Sequence, residues 1–322
     1  MSHLGFTDSY GSSSKAVDTL FIRNKNGTYV REVGNNFVVV RVDSEASGYF
    51  EGAVDVISRG ECGTTETAPD PLLDWAYCGR TKNVCKPLPE APSKHREKWF
   101  RWLSHYLCLF GINRKSLYAL VDKDSSNVVA ATVVGPPRTI PFDRSADEMG
   151  RNLRKPPGGM DFAIDVLANN LRMKSLGTWQ HKHLPGDGFG DFLYVSIFAT
   201  SPEYQGQGCG TALIEFLGDL ADVDHVESYL ETAGVRNTNF YAKKGGFKVH
   251  AQSNIAGFKH NGGAVSMKRA PNSTTSRNAS IPARDLRAVP KSCNQFYPKN
   301  RSGPLASYCR NCNKHQSTCS GK

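Results

Sequence analysis

Nowhere in the 322 residues is there a run of about 18 apolar residues, so no stretch offers a helix long and apolar enough to cross a membrane. The opening MSHLGFTDSYGSSSK also lacks the apolar core of a secretion signal. Acids are missing at one end only. Of a net charge of +10, +9 falls between Arg269 and Lys322, where ten Lys or Arg face the single acid Asp285. The basicity therefore belongs to a tail, which argues against a nucleic-acid-binding catalytic domain and leaves the tail as the part suited to an acidic partner. A disulfide framework is absent too: the nine cysteines, at 62, 78, 85, 108, 209, 293, 309, 312 and 319, are odd in number and irregular in spacing. That pattern suits reduced thiols in a reducing compartment, and the expectation is a soluble, cytoplasmic protein with no membrane contact. Cys309, Cys312, His315 and Cys319 place four possible metal ligands within eleven residues, a spacing too tight to wrap one zinc ion comfortably, so no metal is expected.

What is present centres on Phe192 to Phe216, FLYVSIFATSPEYQGQGCGTALIEF. A β-branched and aromatic run meets Pro202, passes through glycines, and then shows apolar residues at Leu213, Phe216, Leu217 and Leu220, which is helical spacing. The pattern predicts strand, turn, helix. In the turn, Gln205-Gly206-Gln207-Gly208-Cys209-Gly210-Thr211, glycines let successive N–H groups converge, and the helix start adds its own unpaired N–H groups and positive dipole end. The turn is therefore an anion cradle. No Lys follows Gly210, which excludes a P-loop, and Thr211 stands where a dinucleotide fingerprint needs a third small residue.

Gln205, Gly208 and Gly210 fit Gln/Arg-x-x-Gly-x-Gly/Ala between a strand and a helix, which resembles the pyrophosphate loop of the GCN5-related N-acetyltransferase (GNAT) superfamily. A second stretch, Tyr229 to Val249, reads YLETAGVRNTNFYAKKGGFKV. Its Leu-Glu-Thr, Arg236-Asn237, Phe240-Tyr241 and Gly246-Phe247, with His183-Leu184-Pro185 upstream, resemble the branch that includes puromycin N-acetyltransferase. Three positions depart from that branch: Thr200 replaces its usual Val, Phe192-Leu193 replace a His-Trp pair, and one extra residue separates Tyr241 from Gly-Phe.

The resemblance implies an α/β fold: a single acetyltransferase domain over residues 36–268 whose central, mostly antiparallel, twisted sheet is flanked by helices and splayed between its fourth and fifth strands. Around it, residues 1–16 are expected to be disordered, 17–35 to form a hairpin extension, and 269–322 to be a largely disordered tail. Phe37 to Val42 is the expected first strand and Asp43 to Ser58 the first helix. An amphipathic helix through Trp99, Trp102, Leu103, Tyr106, Leu107 and Phe110 ends at Gly111; Ser116 to Val121 and Asn127 to Val134 form a hairpin; and Ala264 to Met267 closes the sheet.

The implied chemistry is acetyl transfer from acetyl-coenzyme A, as co-substrate, to a primary amine of a small molecule by direct attack. Carried over residue by residue, the backbone of Phe198, Ala199 and Thr200 holds the pantetheine arm. The amides of Gln205, Gly206, Gln207, Gly208, Cys209, Gly210 and Thr211 take the pyrophosphate, and Asn237 bonds the arm further down. Tyr241 stands at the family's general-acid tyrosine, where a phenol of pKa about ten suits protonation of a leaving thiolate. Glu231, at the end of the second splayed strand, is the candidate base, and the same carboxylate also suits a structural role. His183 either faces the acceptor or caps the loop. Cys209 has the helix-start position of an activated thiol, but the family slot is an inward apolar one and no covalent role is expected. Two other readings compete with this one: a protein or peptide N-acetyltransferase, and a catalytically silent acyl-CoA-binding module.

Overall fold

The computed structural model describes residues 18–24, 27–78, 86–137, 171–172, 174–180, 182–184, 191–255, 257–258, 263–272, 308–309 and 314–315. In chain order the elements are β1 (Ile22–Arg23), β2 (Tyr29–Val33), β3 (Phe37–Arg41), α1 (Phe50–Cys62), α2 (Pro71–Cys78), α3 (Lys94–Asn113), β4 (Leu117–Asp122) and β5 (Val128–Gly135). Then come β6 (Phe192–Thr200), a 3-10 turn (Pro202–Tyr204), α4 (Cys209–Val223), β7 (Glu227–Ala233), α5 (Val235–Gly245), β8 (Lys248–Ser253) and β9 (Ala264–Arg269). Residues 174–180 are helical. A separate ribbon pairs β10 (Tyr308–Cys309) with β11 (Lys314–His315).

Nine strands form one open sheet in the order β1-β2-β3-β4-β5-β6-β7-β9-β8, and every neighbouring pair is antiparallel except β6 and β7. Helices cover both faces, which is why the central strands read as continuous apolar runs rather than alternating ones. Val38 and Val40 join the layer under α1 and α3 with Phe50, Ile57, Phe100 and Leu107. Val39 turns the other way, into the layer under α4 with Leu213, Phe216 and Leu217. Counted from β3, the parallel pair is the fourth and fifth strand.

Several boundaries differ from the expectations, each for a local reason. The first helix starts at Phe50, not Asp43, because Ser44 and Ser47 turn their hydroxyls onto the backbone: Ala46 N–H donates to Ser44 Oγ at 3.1 Å and Tyr49 N–H to Ser47 Oγ at 3.3 Å. Gly111 does not stop α3. A Cβ there would stand 2.9 Å from Leu117 Cβ, so the glycine lets the helix lie close on the sheet, and the chain turns instead at Lys115, with φ 54°.

The expected hairpin at the N-terminus is part of the main sheet, since β2 pairs with β3 over Tyr29↔Arg41 to Val33↔Phe37. Arg41 joins the two: it bonds Asp18 and Asp43 and lies 3.9 Å over the Tyr29 ring. Edge strand β8 was not anticipated. Its residues alternate poorly and most are exposed, because only one side of the strand pairs. Residues 1–17, 138–170 and most of the tail lie outside the described residues.

Candidate active site

Strands β6 and β7 pair only at Phe192↔Glu227, Leu193↔Ser228 and Tyr194↔Tyr229. Past that point β6 keeps β5 as partner as far as Ala130↔Thr200, and β7 keeps β9. The cause lies in a register shift: Val134 pairs Val195 and Val133 pairs Ile197, leaving Ser196 as the extra residue of a bulge. A bulge bends its strand, adds twist and reverses the side-chain alternation. Accordingly Leu193 and Val195 belong to the α4 layer, whereas Ile197 and Ala199 belong to the α1 layer. The strand bends away from β7, and Phe198, Ala199 and Thr200 present a backbone edge that β7 does not reach.

At the end of that edge lies the glycine turn. Gly206 has φ 80° and Gly208 φ 87°, and a Cβ at either would meet nothing within 4 Å, so both face open space. Gly208 caps α4 with no side-chain bond, and the first helical bond is Ala212 N–H to Gly208 O at 2.9 Å. The N–H groups of Cys209, Gly210 and Thr211 are thus left pointing out of an uncapped helix start, as an anion requires. Gly210 differs, because its Cβ would come within 3.3 Å of both Phe240 and Thr200 Oγ1, so it is small to let α4, α5 and β6 meet. Gln205 accepts from Arg236 Nη2 at 3.1 Å and Gln207 donates to Glu203 O at 2.8 Å, which holds the turn's shape. Asn237 sits half-buried in the first turn of α5, beside Arg236. Cys209 is 1% exposed within the α4 layer, and burial pushes its thiol pKa up, the opposite of a nucleophile's need.

On the opposite face, Glu231 stands two residues past the last β6–β7 pair. Its Oε2 accepts from the Tyr194 hydroxyl at 2.7 Å and from Gln180 Nε2 at 3.5 Å, while Oε1 is buried with no hydrogen-bond partner among the described residues. Tyr229, 0% exposed, brings its ring to 6.0 Å from Tyr194. Burial pushes the Glu231 carboxyl up to about 7, against the pull of the Tyr194 and Gln180 donors toward its charged form.

Tyr241 packs among Phe198, Phe240 and Phe247 at ring distances of 6.0, 5.2 and 6.0 Å. Burial raises its phenol, and the carboxylates of Glu61 and Asp70 push in the same direction. Glu61 is 6% exposed and its carboxyl is raised by burial and then by Asp70, which burial in turn lifts to about 6. The extra residue after Tyr241 is absorbed at the helix end, where Gly246 turns left-handed at φ 70° and Phe247 N–H closes on Tyr241 O at 3.1 Å.

The structure thus brings the predicted backbone edge, turn and Tyr241 to one splay and sets Glu231 on its far face. His183 stands elsewhere: its Nε2 lies 3.3 Å from Ser253 Oγ, and its ring 4.8 Å from that of Trp179, which donates to the same hydroxyl at 2.6 Å. Tyr194, Gln180, Glu61 and Asp70 were not anticipated. Tyr194 reads as one more aromatic of a strand, and Glu61 and Asp70 belong to a stretch with no motif.

Residues 174–247, spanning β6 through α5, match the family model described as the acetyltransferase (GNAT) family. Among curated proteins, none matches this chain in sequence. Among solved structures, arylalkylamine N-acetyltransferase 2 from Aedes aegypti is similar at 13% identity, covering 74% of this chain and 100% of its own, with TM-score 0.46. An agmatine N-acetyltransferase, solved as a point mutant in its apo form, is similar at 15% identity over 73% of this chain and 100% of its own, with TM-score 0.40. The Drosophila melanogaster polyamine N-acetyltransferase is similar at 14% identity over 73% and 100%, with TM-score 0.38. The matched segment carries the β6–β7 splay, the glycine turn and α5, on an open, mostly antiparallel sheet with helices on both faces.

Proposed function

We propose that this protein is an acyltransferase that uses acetyl-coenzyme A and acetylates the primary amine of a small molecule by direct attack. The observation that carries the reading is the splay: β6 and β7 part after Tyr194↔Tyr229, with an uncapped helix start at one end of the free edge and the half-buried Glu231 on the other face. The residues present fit the cofactor, since a Cβ at Gly206 or Gly208 would enter open space where a pyrophosphate needs room. When bound, acetyl-coenzyme A supplies an activated acetyl thioester. The amides from Gln205 to Thr211 hold its pyrophosphate, the edge of Phe198, Ala199 and Thr200 holds the pantetheine arm, and Asn237 steadies that arm.

Glu231 takes the proton of the attacking amine at Oε1, the oxygen with no partner among the described residues, while Tyr194 and Gln180 fix Oε2. A carboxylate with its pKa near neutrality is well matched to that task. Tyr241 would give its hydroxyl proton to the departing sulfur; burial with Glu61 and Asp70 raises its phenol, so it is protonated at neutral pH but a weaker acid than an ordinary phenol. A half-buried carboxylate with one unpartnered, solvent-shielded oxygen favours a small amine over a peptide N-terminus, in line with the motifs resembling the puromycin N-acetyltransferase branch.

Calorimetric titration with coenzyme A, followed by thiol release from acetyl-coenzyme A across an amine panel, tests the proposal. Micromolar binding and thiol release with one amine class are expected. No binding sinks the enzymatic readings, and binding without thiol release leaves a silent acyl-CoA module.

A further inference from the structure

The cofactor turn is approached by a carboxylate that should work against it. Glu203 lies in the 3-10 turn directly before Gln205, and Gln207 Nε2 closes on the Glu203 carbonyl at 2.8 Å, so the anion cradle folds back over this residue. A fixed negative charge within a Debye length of a pyrophosphate raises the cost of binding it.

Arg59, in the last turn of α1, meets that carboxylate with both arms: Nη1 to Oε1 at 2.8 Å and Nη2 to Oε2 at 2.9 Å. The pair is solvent-exposed, at 45% and 47%, and exposed pairs contribute little to folding. Its geometry is nevertheless the rigid fork of a bidentate contact, whose specificity stability alone does not explain. Arg59 is also held where it is. The next residue, Gly60, packs so closely that a Cβ would stand 2.9 Å from Ala199 Cβ and 3.2 Å from Thr200 O, fixing the end of α1 on the free-edge strand. Behind it the charges alternate. Arg59 also reaches Asp55 at 3.6 Å, and Arg101 serves Asp55 at 3.3 Å and Glu51 at 2.7 Å. Arg101 is thus engaged with other acids and leaves Arg59 as the cation on Glu203.

We propose that Arg59 is a positioning residue of the cofactor site: it cancels the Glu203 charge, so that the cradle meets a pyrophosphate beside a neutralised carboxylate. This rests on the reading of residues 205–211 as a pyrophosphate cradle. Burial alone would raise the Glu203 carboxyl, yet Arg59 holds it below its ordinary value, so the charge to be cancelled is present throughout the neutral range. Arg236, which donates to the neutral Gln205 and not to Glu203, is the second guanidinium at the turn and leaves its charge available to the ligand.

The test is calorimetric titration of coenzyme A into the full-length wild type, R59A, E203Q, the R59A/E203Q double variant and R59K, at low and at high salt, with thermal melts confirming that each folds. At low salt R59A is expected to bind about five- to tenfold more weakly, an effect that shrinks as salt screens it. E203Q should bind at least as tightly as wild type, R59A/E203Q should return to the E203Q level, and R59K should recover part of the loss. Wild-type affinity in R59A overturns the proposal, as does a double variant that stays as weak as R59A, since either outcome removes charge cancellation from the role. A wild type that binds no coenzyme A removes the cradle reading itself and is told apart by the first titration.

Discussion

Glu231 needs its proton off to act as a base, and burial has placed its carboxyl at about 7, so kcat/KM with a cognate amine is expected to rise with pH through neutrality and to fall below it. The Tyr194 hydroxyl donates to Oε2 at 2.7 Å and so stabilises the charged form. Tyr194→Phe removes that donor, raises the carboxyl further, and should move the rising limb of the pH–rate profile to higher pH; a limb that does not move separates Tyr194 from the base. Tyr241→Phe keeps the ring contacts with Phe198, Phe240 and Phe247 and loses only the proton, so kcat should fall by about 10- to 100-fold with the coenzyme A Kd unchanged. Unaltered turnover would remove Tyr241 from the chemistry. At Gly208, with φ 87° and open space beyond, Gly208→Trp combines a strained backbone with a ring in the cradle, and calorimetry should show coenzyme A binding abolished.

Between elements, a buried ion pair joins α4 to β9. Asp222 near the end of α4 takes both arms of Arg269 at the end of β9, Nη1 to Oδ1 and Nη2 to Oδ2 at 2.7 Å each, and Asn272 N–H adds a third bond at 2.8 Å. With the side chains 2% and 11% exposed, this is a buried pair, and losing one partner strands the other. Asp222→Ala is expected to cost about 3–5 kcal/mol in chemical denaturation. Although burial opposes it, the Arg269 partnership lowers the Asp222 pKa below its unfolded value. The pair's contribution is therefore present at neutral pH and lost as pH falls through the folded value, so wild type and variant should converge in strong acid. A gap that stays constant down to low pH would assign the effect to packing.

For the molecule as a whole, the two helix layers close on one continuous sheet from β1 to β8, with the N-terminal hairpin held in by Arg41 and the C-terminal side by Asn272. The basic stretch beyond contains most of the net charge. Removing residues 273–322 should leave the melting temperature and coenzyme A affinity unchanged, whereas starting the deletion at 269 takes Arg269 away from Asp222 and should lower the melting temperature sharply. A loss of coenzyme A binding in the 273–322 deletion would make the tail part of the site.

Local signals decided what the sequence could show by itself. The run from Phe192, the glycines at 206, 208 and 210 and the helix that follows are neighbours along the chain, and their geometry needs nothing distant, so strand, turn and helix were readable from residue types. The same holds for Glu231 and Tyr241, whose places came from short-range motif order. Tertiary structure alone decided the rest. One unpaired residue, Ser196, bends β6 off β7, and nothing in an unbroken apolar run marks which residue the partner strand will skip. Tyr194 and Gln180 meet Glu231 across 37 and 51 residues, and Glu61 and Asp70 reach Tyr241 from the far side of the sheet. Those encounters set the charge state of the site, because desolvation and facing charges exist only once the layers have closed.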